Sequence, residues 1–314
     1  MKKAIVLLQI YALDRLEEIS NLLDIHKDTR IAISIGEKNT NDKKIIDFLN
    51  KFKARLEDVR FHKNYGVDIA PFLQQVKRLD SDKFPYFIKL HSKSSFFGNN
   101  LSVDWGSILI DTFIGNAFCY DRNLSRIEKS HIGMVSNRYF TLANNLGKNI
   151  SKIKGLCKIL DVDYQKVTGK PFAAGSMFLS KTSIFHKYLL EHIDYLDILL
   201  SNETGKVHDA NHVNGTYSHA LERLFGYFIH NENLKIHPSI LNSYRVYNTQ
   251  YKKLHLHITY NNIAYLTEDS SIIGKVIENN EEILKIEWKH LKHNNLGTYQ
   301  KFNHNNLIRI NHAK

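Results

Sequence analysis

Residues 4–11, Ala4-Ile5-Val6-Leu7-Leu8-Gln9-Ile10-Tyr11, form an almost unbroken apolar run. Strands covered on both faces of a parallel sheet read this way. Downstream, Leu13 to about Leu23 carries leucine and isoleucine at helical spacing, and Ile31 to Ile35 is a second apolar strand ended by Gly36. Ile45 to about Leu56 reads as a helix with Ile46, Phe48, Leu49 and Phe52 on one side. A short strand, Val59-Arg60-Phe61, leads into a turn at Asn64; a helix from Ile69 to about Leu79 and a strand from Tyr86 to Leu90 follow. This alternation predicts an α/β fold, a Rossmann-type, mostly parallel sheet flanked by helices, with right-handed crossovers.

The middle of the chain continues the pattern less regularly. Trp105 to about Tyr120 reads as one amphipathic helix, Ile132 to Val135 as a small strand, and 144–170 as a basic excursion over the active face. Phe172 to Leu179 returns to strand, Ser183 to about Leu200 reads as a helix, and Ser201 to Gly215 is a polar loop. From Thr216 to about Ile229, Tyr217, Ala220, Leu221, Leu224, Phe225 and Phe228 mark the buried face of a helix. That leaves His219, Glu222, Arg223 and Gly226 to the opposite, solvated side. After His230 the composition shifts toward His, Asn, Tyr and Lys in short alternating runs. The expected organisation is a domain over 1–235 and a small C-terminal accessory region of short strands over 236–314.

The 314 residues are 43% hydrophobic and 11% aromatic, enough to bury a substantial core and to exclude global disorder. A net charge of +11 favours polyanionic or phosphate-bearing partners. The chain has no RNA-recognition signature, zinc-finger spacing or dense arginine cluster, so no nucleic-acid partner is expected. Cys119 and Cys157 are isolated, as suits a reducing compartment. The N-terminus lacks a small-residue cleavage site, and no apolar run approaches the ~20 residues that span a bilayer. The expected location is cytoplasmic, with peripheral contact to an anionic membrane face.

The chemistry concentrates at the carboxyl end of the Tyr86 strand, the side on which open α/β sheets bind ligands. Lys89, His91, Lys93, Ser94 and Ser95 crowd cationic and hydroxyl groups there. Residues two apart in a strand share a side, and two donors on one side suit a diphosphate better than a cation. Ahead of them, Gly66 permits a tight reversal, and Asp68 serves either as a ligand to a ribose or base edge or as the N-cap of the Ile69 helix. Asp104-Trp105 reads as a sugar-stacking pair or as a helix cap. At Ala174-Gly175-Ser176-Met177 small residues allow close backbone approach to a ligand, or simply close strand packing. On the last helix His219, Glu222 and Arg223 can set a carboxylate base beside a tuning histidine and a phosphate-binding arginine. Asp209, in the polar loop, is the rival base. His208, His212 and His219 with Asp209 match no compact zinc pattern, and no metal or cofactor is expected.

Four separated segments carry a resemblance. They are Asn64-Tyr65-Gly66-Val67-Asp68-Ile69-Ala70-Pro71-Phe72, Lys89-Leu90-His91-Ser92-Lys93-Ser94, Ala174-Gly175-Ser176-Met177-Phe178, and Gly215-Thr216-Tyr217-Ser218-His219-Ala220-Leu221-Glu222-Arg223-Leu224-Phe225. Together they resemble the rhamnan synthesis protein F family of bacterial polysaccharide glycosyltransferases, over roughly residues 1–230. The resemblance implies a GT-A-like nucleotide-binding sheet and transfer of rhamnose or a similar sugar to a growing surface glycan. Asn214 stands where the family leads one to expect aspartate, and Gly106 where it leads one to expect arginine.

On this reading Gly66, Asp68, Lys89, His91, Lys93, Ser94, Gly175, Ser176 and Arg223 bind a nucleotide-sugar donor. Asp104 and Trp105 meet a glycan or lipid-linked glycan acceptor, and Glu222, with His219 and Asp209, serves catalysis. His91-Ser92-Lys93 stands where a metal-binding acidic pair is usual, so the expected transferase inverts and needs no cation. The alternative is a non-catalytic glycan- or nucleotide-sugar-binding protein on the same fold.

Overall fold

The computed structural model describes residues 4–92, 105–143, 149–203 and 215–239 and, as backbone, strands lying between 243 and 310. The first half follows the alternation read from the sequence. Its elements are β1 (Ala4–Ile10), α1 (Leu16–Ile25), β2 (Arg30–Gly36), α2 (Lys43–Phe52), β3 (Leu56–His62), α3 (Ile69–Arg78) and β4 (Tyr86–His91). Every residue of β1 is buried, because the strand lies inside the sheet and is covered on both faces. α2 is capped by Asp42, whose side chain accepts the Lys44 amide.

The second half contains α4 (Trp105–Ile114), α5 (Ala117–Ile127), β5 (Ile132–Asn137), β6 (Thr141–Ala143), α6 (Ile150–Ile159), β7 (Pro171–Ala173), β8 (Phe178–Lys181), α7 (Thr182–Leu189), α8 (Ile193–Ser201), α9 (Tyr217–Asn231) and β9 (Lys235–Ser239). Three elements expected as single pieces are divided. The helix from Trp105 breaks at Gly115-Asn116, where the Asn116 side chain takes the Cys119 amide at 2.8 Å and starts α5. The helix from Ser183 breaks before His192, and the strand from Phe172 is interrupted by a turn at Ala174–Met177.

Among the described residues seven strands form one sheet in the order β3-β2-β1-β4-β8-β5-β9. β8 alone runs antiparallel to its neighbours β4 and β5; the other pairings are parallel. Successive strands run outward from β1 to β3, and the chain then returns to place β4 on the other side of β1. The topological switch point therefore lies between the carboxyl ends of β1 and β4. β9 pairs with β5 from Lys235 to Ser239, so the central sheet extends past residue 235. Beyond it β10 (Ser243–Asn248), β11 (Tyr251–Ile258), β12 (Ile263–Leu266), β13 (Ile272–Asn279), β14 (Ile283–His290) and β15 (Asn305–Ile310) pair antiparallel into a closed barrel.

One face of the central sheet is packed by α3, α7 and α9 through Phe72, Phe87, Phe178, Phe185 and Phe225. Their rings meet at 5.1–6.0 Å, mostly edge to face. No described helix is long and apolar enough to cross a membrane.

Candidate active site

Ser92 directly follows β4, and Tyr11 and Ala12 directly follow β1. The Ser92 hydroxyl accepts the Tyr11 and Ala12 amides at 2.8 and 3.0 Å, and the Ser92 amide donates to the Gln9 carbonyl at 2.9 Å. The two strand ends are thus tied at the switch point. Asn39, beyond β2, donates to the Tyr11 carbonyl at 3.0 Å, and the Tyr11 hydroxyl donates to the Val67 carbonyl at 2.7 Å. The His62 ring, at the end of β3, meets Tyr11 edge-on. Burial first, then the charge of Asp68 and the nearby Tyr65, push the Tyr11 phenol far above its usual range. Ser92 belongs to the His91-Ser92-Lys93 segment, whereas Tyr11, Asn39 and His62 carry no motif. Only their positions at or just past strand ends mark these three in the sequence.

Lys89 and His91 share one side of β4, as the strand period requires, but that side faces the protein. Lys89 is fully buried; its ammonium donates to the Asp68 carboxylate and, at 3.1 Å, to Ser176 Oγ. Ser176 Oγ in turn donates to Asp68. His91 Nε2 donates to the Gly175 carbonyl at 2.9 Å and lies 3.9 Å from Asp68. Burial raises the Asp68 carboxyl, but the charges of Lys89 and His91 and the hydrogen bonds from Lys89 and Ser176 outweigh it. The carboxyl is held well below the usual range.

Asp68 stands before α3 without capping it through its side chain. Its backbone is already helical, its side chain makes no cap hydrogen bond to α3, and its carboxylate is committed to Lys89 and Ser176. Gly66 differs too. A Cβ there would lie 2.7 Å from the Ala70 Cβ and 3.1 Å from that of Leu200, so its bareness serves packing inside the protein. Its φ of 61° and the 55° of Val67 lie in the left-handed region.

The α9 surface expected to be solvated is covered. A Cβ on Gly226 would stand 2.4 Å from the Pro171 carbonyl oxygen and 2.7 Å from the Phe172 Cα, so glycine here lets β7 lie against the helix. Gly226 leaves no room for a substrate. Glu222 reaches the turn between β7 and β8, where its Oε1 accepts the Gly175 amide at 2.7 Å. Arg223 donates to the His219 carbonyl at 3.0 Å, stacks over Phe172 and lies 3.9 Å from Glu222. Thr216, the N-cap of α9, accepts the His219 amide, and its hydroxyl is 2.6 Å from His219 Nδ1.

The fold thus brings Asp68, Lys89, His91, Gly175, Ser176 and Glu222 into one contiguous set, with Arg223 beside Glu222. Lys93, Ser94, Asp104, Asp209 and Asn214, and the side chain of Trp105, lie outside the described residues. Among the described residues no group of His, Cys, Asp and Glu could hold a metal ion.

Protein WxcX of Xanthomonas campestris pv. campestris, named as uncharacterized, is 25% identical over 234 residues in strain B100 and again in strain ATCC 33913. The alignment covers 71% of this chain and 31% of WxcX, so the chain spans under a third of its curated relatives' length. Residues 1–234 match the family described as Rhamnan synthesis protein F, a span holding the switch point, the Asp68–Lys89 pair and α9. This chain belongs to that family, named for the synthesis of rhamnan polysaccharide.

Proposed function

We propose that the protein is a glycosyltransferase that moves rhamnose or a similar sugar from a nucleotide-sugar donor to a growing cell-surface polysaccharide. Transfer inverts the anomeric carbon and needs no divalent cation. The observation that carries this reading is the Glu222 carboxylate, seated by the Gly175 amide at the carboxyl edge of the sheet. That edge beside the switch point is where open α/β sheets bind ligands.

On this reading the donor lies in the GT-A-like crevice at the ends of β1 and β4. Lys93 offsets the charge on the leaving diphosphate as a point cation. Glu222 takes the proton of the acceptor hydroxyl while that oxygen bonds to the anomeric carbon. The bond to the diphosphate breaks, and the nucleotide leaves with its electron pair. Arg223 reinforces the phosphate side, and Asp104 with Trp105 meets the acceptor. The acceptor is a glycan or lipid-linked glycan at the cytoplasmic face of an anionic membrane, to which the net charge of +11 is complementary.

Sugar transfer from a panel of nucleotide sugars, with and without a strong chelator, tests this. Turnover should survive chelation, and complete dependence on manganese or magnesium would overturn the cation-free assignment. Lys93→Ala should slow transfer or weaken donor binding by ~10–1000-fold. Glu222→Gln should keep the fold and donor affinity while lowering the rate at least ~100-fold. A near wild-type rate for Glu222→Gln with an inactive Asp209→Asn would make Asp209 the base. Donor binding without turnover under any condition would make the protein a binding module.

A further inference from the structure

Gly175 is gripped from two sides. Its carbonyl accepts a hydrogen bond from His91 on β4, and its amide donates to Glu222 on α9, at 2.9 and 2.7 Å. The next residue, Ser176, has a φ of 51°, in the left-handed region that a residue with a Cβ enters only when its surroundings enforce it. Here they do. The Ser176 hydroxyl donates to Asp68 and accepts from Lys89, so both members of a buried ion pair hold the turn in place. Lys89 is 0% and Ser176 3% exposed, which leaves neither a surface to offer a ligand. The contacts of this cluster run instead toward the peptide that meets Glu222.

We infer that Ser176, Lys89 and Asp68 are positioning residues: they hold the Gly175–Ser176 turn in its left-handed form so that the Gly175 amide orients the Glu222 carboxylate. The inference rests on the transferase reading, with Glu222 as base, and it removes Lys89 and Ser176 from the donor contacts. The amide fixes one carboxylate oxygen, and Arg223 lies 3.9 Å from the other. A displacement of about 1 Å at such a group can lower a rate ~100-fold. The charged groups about Glu222 include Lys89 on β4 and Arg223 on α9, with His91 and Asp68 across the turn.

Ser176→Gly is the test, because glycine adopts a φ near 51° freely, so the variant removes the hydroxyl without forcing the turn open. In steady-state transfer the expected result is a kcat lower by ~10–100-fold with the donor Kd within about 2-fold of wild type. In a Glu222→Gln background the same change should alter the residual rate by less than about 2-fold, since residues acting through one another are not additive. A loss of donor affinity at unchanged kcat, or an equal further loss in the Glu222→Gln background, would overturn the inference.

A second measurement needs no turnover. In 13C-glutamate-labelled protein, the Glu222 carboxyl resonance is identified by its absence from Glu222→Gln. It should titrate at higher pH in Ser176→Gly than in wild type, because an amide bonded to the charged form favours ionisation. An unchanged midpoint would sink the positioning role even if transfer is robust. Wild-type protein that transfers no sugar, with the carboxyl titration shifted as expected, would count against the transferase reading alone.

Discussion

Burial pulls the Lys89 ammonium below the usual lysine value, and Asp68 opposes that pull by charge and hydrogen bond. Removing one partner leaves the other charge in a site built for two. Lys89→Met should therefore destabilise the protein by about 3–5 kcal/mol in urea unfolding. Combining it with Asp68→Asn should recover much of that loss, because neither remaining group then carries a buried charge. Equal stability of the single and double variants would show that Asp68 is solvated without Lys89. The same pair sets an acid limit. A carboxyl depressed in the fold stabilises it fully above the unfolded value of about 3.9, and the contribution fades as pH falls through that value toward the folded one. Urea midpoints between about pH 5 and pH 2 should thus fall more steeply for wild type than for Asp68→Asn. The residue types were legible, since strand period alone puts Lys89 and His91 on one side. What they face was not, because Asp68 and Ser176 arrive from distant segments.

At the scale of elements, hydrophobic period located α9 but misread its second face. A period of 3.6 identifies the stripe facing the sheet. It carries no signal for a second neighbour that packs through glycine. β7 is that neighbour, and Gly226→Ala tests the contact. A methyl group 2.4 Å from the Pro171 oxygen forces helix and strand apart. We expect a loss of about 1–3 kcal/mol in thermal or urea unfolding, the scale of overpacking a filled interior. An unchanged midpoint would mean that β7 shifts freely. The divided helices have a related cause. Across Gly115-Asn116 apolar spacing continues, and a side-chain cap ends one helix and begins another. A period-based reading runs through such a break.

For the molecule as a whole, the outer edge of the central sheet lies at β9, whose Ile236 is 9% exposed where it covers β5. A chain ended after Ser239 keeps this strand, and one ended after Leu234 loses it. The longer truncation product should unfold cooperatively in urea, and the shorter should be weaker by about 1–3 kcal/mol, the scale of uncovering one large apolar side chain. Indistinguishable midpoints would place β9 outside the cooperative unit. By itself, the sequence determined the α/β class and the order of strands and helices through β4. Those depend on apolar period and turn residues, which are local. It also marked the Gly66, Lys89, Gly175 and Glu222 segments as belonging together, through their likeness to one family. Only the tertiary structure decided that Lys89 and Asp68 pair, that Ser176 joins them, and that Glu222 meets the Gly175 amide. These contacts cross from β4 to α3, the β7–β8 turn and α9, and no local period encodes which charged side chain a crossing strand will bury.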